Sequence, residues 1–153
     1  MNDGIIIRRG IPADLPEVIV LAETAAYWRP EEYEKIFTSL RTLLVAEYNG
    51  AILGFVIAHN ILGEWELENI AVAPAHRRQG LGQQLVTALI REAEHTQAKA
   101  ILLEVRESNT AAIILYERCG FQQYGRRKTY YSSPSEDGLL YRFLCNPATL
   151  ENC

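Results

Sequence analysis

Val72-Ala73-Pro74-Ala75-His76-Arg77-Arg78-Gln79-Gly80-Leu81-Gly82 is the stretch around which the chain organises itself. Upstream of it, residues 65–73 read as a strand that Pro74 stops. Downstream, Leu81, Leu85, Leu89 and Ala93 form one stripe at helical spacing, widened by Val86 and Ile90, so residues 80–96 read as a helix. A strand therefore enters a helix through a loop that carries two arginines and two glycines. Glycines there let the backbone turn sharply and bring its N–H groups close to a ligand. The helix N-terminus adds unpaired donors and a positive dipole end. Successive N–H groups in such a turn make an anion-binding nest, and Arg77 and Arg78 set charge beside it. That chemistry suits a pyrophosphate. No Gly-Lys-Ser/Thr follows and the spacing is not Gly-x-Gly-x-x-Gly, so the expected ligand is nucleotide-derived but not a nucleoside triphosphate. The plain alternative is a packing turn; the paired arginines and the strand-to-helix context weigh against it.

Working outward, residues 5–9 form a short apolar run ending at Gly10, a first strand. Pro12 and Asp14 open a helix with Leu15, Val18, Ile19 and Ala22 at helical spacing, and Pro30 starts a second helix that continues over 31–40. Strands at 42–47 and 52–58 flank Asn49-Gly50, a strong hairpin signal. Past the Gly-rich turn, 100–105 is a compact apolar strand, and Ser108 is placed to cap a helix over 109–118 that Gly120 ends. Strands at 121–131 and 139–145 enclose a polar turn, 132–138. Short turns imply antiparallel pairing, and the long helix between Ala73 and Ala100 implies one parallel crossover. The expected fold is α/β of mixed α+β type: a mostly antiparallel sheet of about seven strands with helices on both faces.

The chain has 153 residues, 48% hydrophobic and 22% charged, and is expected to form a single domain over 1–153. A net charge of -4 argues against nucleic acid as a partner and fits a cationic acceptor better. No apolar run reaches membrane-spanning length, and Met1-Asn2-Asp3-Gly4 has neither the basic segment nor the apolar run of a secretory leader. Cys119, Cys145 and Cys153 are odd in number and lack Cys-x-x-Cys spacing, the pattern of reduced thiols in the cytoplasm; Cys119 reads as a small buried hydrophobe before it reads as a nucleophile. His59, His76 and His95 show no ligand spacing, and no metal is expected.

Arg77-x-x-Gly80-x-Gly82 after Ile70-Ala71-Val72 resembles the acetyl-CoA signature of the GNAT acetyltransferases, and the element order matches their fold. A second stretch, Leu103-Glu104-Val105-Arg106-Glu107-Ser108-Asn109-Thr110-Ala111-Ala112 followed by Leu115-Tyr116-Glu117-Arg118-Cys119-Gly120-Phe121, closely resembles the RimI group of bacterial N-terminal acetyltransferases, known for modifying a small-subunit ribosomal protein. Gly125-Arg126-Arg127-Lys128-Thr129-Tyr130-Tyr131 resembles that group's segment before the final turn. The likeness is strong over about residues 69–131 and fair to Phe143. Tyr27-Trp28-Arg29-Pro30 departs from the Pro-Trp pair common in the group, in a region that helps form the family's acceptor groove.

The resemblance implies acetyl transfer from acetyl-CoA to an amine, most directly a protein or peptide N-terminus such as a ribosomal one. It implies a backbone hold on the cofactor by Ile70, Ala71 and Val72, with the Val72 N–H a candidate oxyanion donor. Arg77, Arg78, Gln79, Gly80, Leu81, Gly82 and Gln83 are assigned to the pyrophosphate, and Asn109 and Ala112 to the cofactor's arm. Glu104 is the implied general base and Tyr116 the implied general acid. Asn109 and Tyr116 stand seven residues apart, which puts them on one helix face about 10 Å apart. Glu64, Glu66 and Glu68 share one strand face at period two, and Glu68 is the rival base or acceptor-binding carboxylate. Tyr130 and Tyr131 are expected to line the acceptor groove. Two alternatives remain at this point: a family member acting on a small amine such as a polyamine, aminoglycoside or amino acid, and a non-catalytic acetyl-CoA-binding module. Monomer and homodimer are both open.

Overall fold

The computed structural model describes residues 4–23, 30–132 and 134–145. Tyr27-Trp28-Arg29 and residues 146–153 lie outside them. Seven strands form one sheet: β1 (Ile6–Arg9), β2 (Arg41–Tyr48), β3 (Ala51–Ile61), β4 (Glu64–Val72), β5 (Ala100–Arg106), β6 (Gln122–Tyr131) and β7 (Glu136–Leu144). Their order across the sheet is β1-β2-β3-β4-β5-β7-β6. The β4–β5 pair is parallel and every other pair antiparallel, the single crossover that the long helix requires. Asn49 and Gly50, at φ 49° and 83°, make the tight left-handed turn between β2 and β3.

Helices cover both faces. α1 (Leu15–Ala22) and α2 (Pro30–Tyr33) lie on one, and α3 (Leu81–His95) and α4 (Thr110–Arg118) on the other. Val18, Tyr33 and Ile36 meet Leu43, Val45, Phe55 and Ile57 in one core layer. Leu81, Leu85, Leu89 and Ala93 meet Leu44, Val56, Ile101 and Leu103 in the other, so the stripe read from the sequence is the buried one.

Two elements differ from the reading. The second helix keeps one α-turn, then tightens to a 3-10 turn over Glu34–Thr38 and stops short of Leu40. Three-residue periodicity sets Tyr33 and Ile36 in line, and both are 1% exposed, so burial of that pair overrides a longer α-helix. α4 is capped by Asn109, not Ser108: the Asn109 side-chain oxygen accepts from the Ala112 N–H at 3.2 Å, while the Ser108 N–H and hydroxyl both go to Glu136. Glu136 thereby joins β7, which begins inside the stretch read as a polar turn.

Asp14, buried, accepts two hydrogen bonds from the Arg8 guanidinium at 2.8 and 2.9 Å and one from the Ile11 N–H at 2.8 Å. The Arg8 contact holds its carboxyl below the usual range, against the opposing effect of burial. A depressed folded-state pKa gives stability that is full above the unfolded value of about 3.9 and is lost as pH falls through the folded one. Asp14→Ala is therefore expected to cost about 1.5–3 kcal/mol at neutral pH, read from urea midpoints, with the gap to wild type closing below about pH 4.

Candidate functional site

β4 and β5 pair only at Glu64–Ala100, Trp65–Ile101 and Glu66–Leu102, although β4 runs on to Val72 and β5 to Arg106. Beyond Glu66 and Leu102 the two strands part, leaving a gap in the middle of the sheet. Antiparallel alternation fixes what faces it. The Ala73 N–H donates to the Leu53 carbonyl at 2.8 Å, so Val72, one residue back, turns its own N–H and carbonyl away from β3 and towards the gap. The Val72 carbonyl is met there by Arg77 Nε at 3.2 Å.

The Gly-rich turn closes one end of the gap. Arg78 (φ 65°) and Gly80 (φ 82°) are both left-handed, which costs a non-glycine residue about 1–2 kcal/mol. A Cβ on Gly80 would meet nothing within 4 Å, so the space beside it is open to a ligand. The first intrahelical bond of α3 is Gln84 N–H to Gly80 carbonyl at 3.0 Å, so the N–H groups of Leu81, Gly82 and Gln83 precede it.

A cavity of about 720 Å³ fills this region. Ile70, Ala71, Val72, Arg77, Arg78, Gly80, Leu81, Gly82, Gln83, Asn109 and Ala112 line it, which unites every predicted cofactor residue except Gln79. Its size falls in the range of small-molecule and cofactor sites. The residues fit a long, phosphorylated ligand: a charged nest at one end and an apolar wall from α4 along the side. His76, Ala111, Ile114, Leu115 and Arg118 also line it and were not singled out from sequence. The α4 residues among them follow from helix periodicity once Asn109 and Ala112 are placed; His76 has no such signal.

Tyr116 is not part of the lining. It is 5% exposed, packed against Phe121 at 5.8 Å between ring centroids. Burial raises its phenol pKa, with smaller contributions from Cys119 and Tyr131, so the hydroxyl stays protonated at neutral pH. Asn109 stands outside the helix as its cap, so the two residues are wall and interior rather than one exposed face.

Glu104 lies on the other face of β5. Ile101, Leu103 and Val105 belong to the core under α3, and the alternating Leu102, Glu104 and Arg106 project oppositely, half-buried. Arg127 Nη2 lies 3.3 Å from Glu104 Oε1 and stacks on the Tyr130 ring at 5.2 Å. Tyr131 sits edge-on to Tyr130 at 5.1 Å, with the Arg106 guanidinium 4.4 Å from its ring centre. Glu68 is differently engaged: Arg41 grips it through two hydrogen bonds of 2.7 and 3.2 Å, and His59 Nδ1 is 3.9 Å away. Among the described residues no group of three or more His, Cys, Asp or Glu side chains converges as metal ligands do, and no helix is long and apolar enough to cross a membrane.

The model of the Acetyltransferase (GNAT) family matches residues 14–121. Ribosomal protein bS18-alanine N-acetyltransferase of Escherichia coli (strain K12) is 47% identical over 90 residues, 59% of this chain and 60% of that protein. The protein of the same name from Haemophilus influenzae is 41% identical over 87 residues, 57% and 59% of the two chains. The match thus spans about 60% of the length of these curated relatives. The crystal structure of the ribosomal-protein-S18-alanine N-acetyltransferase from Escherichia coli superposes with a TM-score of 0.86 at 32% identity, over 93% of this chain and 94% of that one.

Proposed function

The chain belongs to the GNAT acetyltransferase family, and from that premise we propose that it is a single-domain, acetyl-CoA-dependent N-acetyltransferase whose acceptor is the N-terminal α-amine of a ribosomal protein. The observation that carries this is the gap between β4 and β5, with the Gly-rich turn and its two arginines lining a cavity at one end, Glu104 on one face of β5 and Tyr116 in the core under the other. The relatives at 47% and 41% identity carry a bS18-alanine acetyltransferase name, which supports that acceptor above a small amine. A ribosomal acceptor goes with a cytoplasmic location.

When bound, acetyl-CoA supplies the thioester carbon that the amine attacks. The α3 N-terminus, Arg77 and Arg78 hold its phosphates; Asn109 and Ala112 guide its arm along α4. The Val72 N–H, directed into the gap, donates to the carbonyl oxygen as it gains charge. An α-amine of pKa about 7.7–8.0 is mostly protonated at neutral pH, so a carboxylate that removes the proton raises the reactive fraction. Glu104 is the base in this reading. Glu68 is weaker in the role because both its oxygens accept from Arg41 at 2.7 and 3.2 Å, whereas Glu104 has one longer ion pair, 3.3 Å, with Arg127. Glu104 takes the ammonium proton before attack and later releases it to solvent. As the carbon–sulfur bond breaks, the Tyr116 hydroxyl gives its proton to the departing thiolate, and the proton the nitrogen sheds on becoming an amide restores Tyr116.

Glu104→Gln is expected to depress kcat/KM most at low pH, where amine deprotonation is hardest, with a shrinking deficit as pH rises past about 8. A deficit equal at every pH would remove Glu104 as the base. The function itself is tested by mass spectrometry of an acceptor panel. Short peptides with free N-termini, including that of ribosomal protein S18, should be acetylated and spermidine little changed; preference for spermidine would overturn the acceptor assignment.

A further inference from the structure

β4 does not run evenly beside β3. Ile57 pairs with Asn69 and Ala58 with Leu67, so Glu68 is an extra residue and the strand bulges there. The bulge changes which residues face which layer: Trp65 and Leu67 lie in the core under α3, as do Ile70 and Val72, three residues beyond Leu67 instead of two. Glu68 and Asn69, side by side, therefore both address the α1–α2 face, and each is tied to a different element. Glu68 takes the paired bonds from Arg41 of β2. Asn69 Nδ2 donates to the Tyr33 hydroxyl of α2 at 2.9 Å, with Tyr33 1% and Asn69 8% exposed. Burial leaves this amide and this phenol no water to fall back on, so the bond fixes the spacing of α2 and the bulge.

The next residues along β4 are Ile70, Ala71 and Val72, the strand that borders the gap. Glu104 projects from β5 on the same face as the bulge side chains. We propose that Asn69 is a positioning residue for the acceptor: through Tyr33 it sets α2 and the acceptor side of the gap in register with Val72. This rests on the acetyltransferase reading above. Asn69 is absent from the cavity lining, so its loss is expected to act on the approach of the amine and not on the hold of the donor.

Three variants separate positioning from plain stability: Asn69→Leu, Tyr33→Phe, and both together. Each single change breaks this bond and is expected to lower the melting temperature. The double variant removes both sides of the bond together, and its melting temperature is expected to exceed that of the less stable single variant. Peptide kcat/KM is expected to fall about tenfold in all three, the double included, chiefly through peptide KM, with acetyl-CoA affinity unchanged. A double variant with wild-type peptide kcat/KM would overturn the positioning role and leave the acetyltransferase reading standing. A wild-type protein that acetylates no amine would overturn that reading, and this role with it.

Discussion

Tyr116→Phe is expected to lower kcat about 100-fold while leaving acetyl-CoA affinity where it was, as loss of a general acid does. The ring stays, so its packing against Phe121 and the core under α3 stays with it. What is lost is one proton, the one the proposed mechanism assigns to the departing thiolate. Burial bears on this in two ways. It holds the phenol in its protonated form across the working range, so the whole population can donate. It also penalises the tyrosinate that donation leaves, so the phenol has to regain a proton as the carbon–sulfur bond breaks. Free thiol released per second, followed with a thiol reagent, checks the first part; acetyl-CoA affinity by calorimetry checks the second. Unchanged turnover would take Tyr116 out of the mechanism. A loss of donor affinity instead would make it a wall of the groove.

Gly82→Val is expected to weaken acetyl-CoA binding about 10- to 100-fold, the scale of 1.4–2.8 kcal/mol. A Cβ at Gly82 would stand 3.2 Å from Leu115 Cδ2 and 3.6 Å from Cδ1, inside the contact that α3 and α4 make across the groove. Leu115 also lines the cavity, so a shift of its side chain reshapes the wall of the groove. The branched side chain would sit beside the Leu81, Gly82 and Gln83 N–H groups that the proposal assigns to phosphate. Global stability, measured by urea unfolding, should change far less than affinity. Wild-type affinity in this variant would contradict the nest.

The Gly-rich turn and the groove beside it were legible because local rules write them. A strand stopped by Pro74, two arginines and a glycine pair before a clean apolar stripe can be read within eleven residues. The alternation along β5 likewise announces which side Glu104 takes. What escaped depends on register between distant strands. Arg41 meets Glu68 across 27 positions and Tyr33 meets Asn69 across 36, and neither partner marks the other in sequence. The bulge at Glu68 inserts one residue into a run that still looks like an ordinary strand, so the change of face between Leu67 and Ile70 is invisible until β3 is beside it. Tyr116 was assigned by resemblance, which carries a role but not a depth; its burial comes from the packing of α4 on α3.

Titration of acetyl-CoA into the intact wild-type protein, followed by calorimetry at rising salt, bears on the groove most directly. One molecule bound per chain, with affinity falling as salt screens Arg77, Arg78 and the α3 N-terminus, is the predicted result. No saturable binding, or binding indifferent to salt, would contradict a phosphate-holding turn at Gly80.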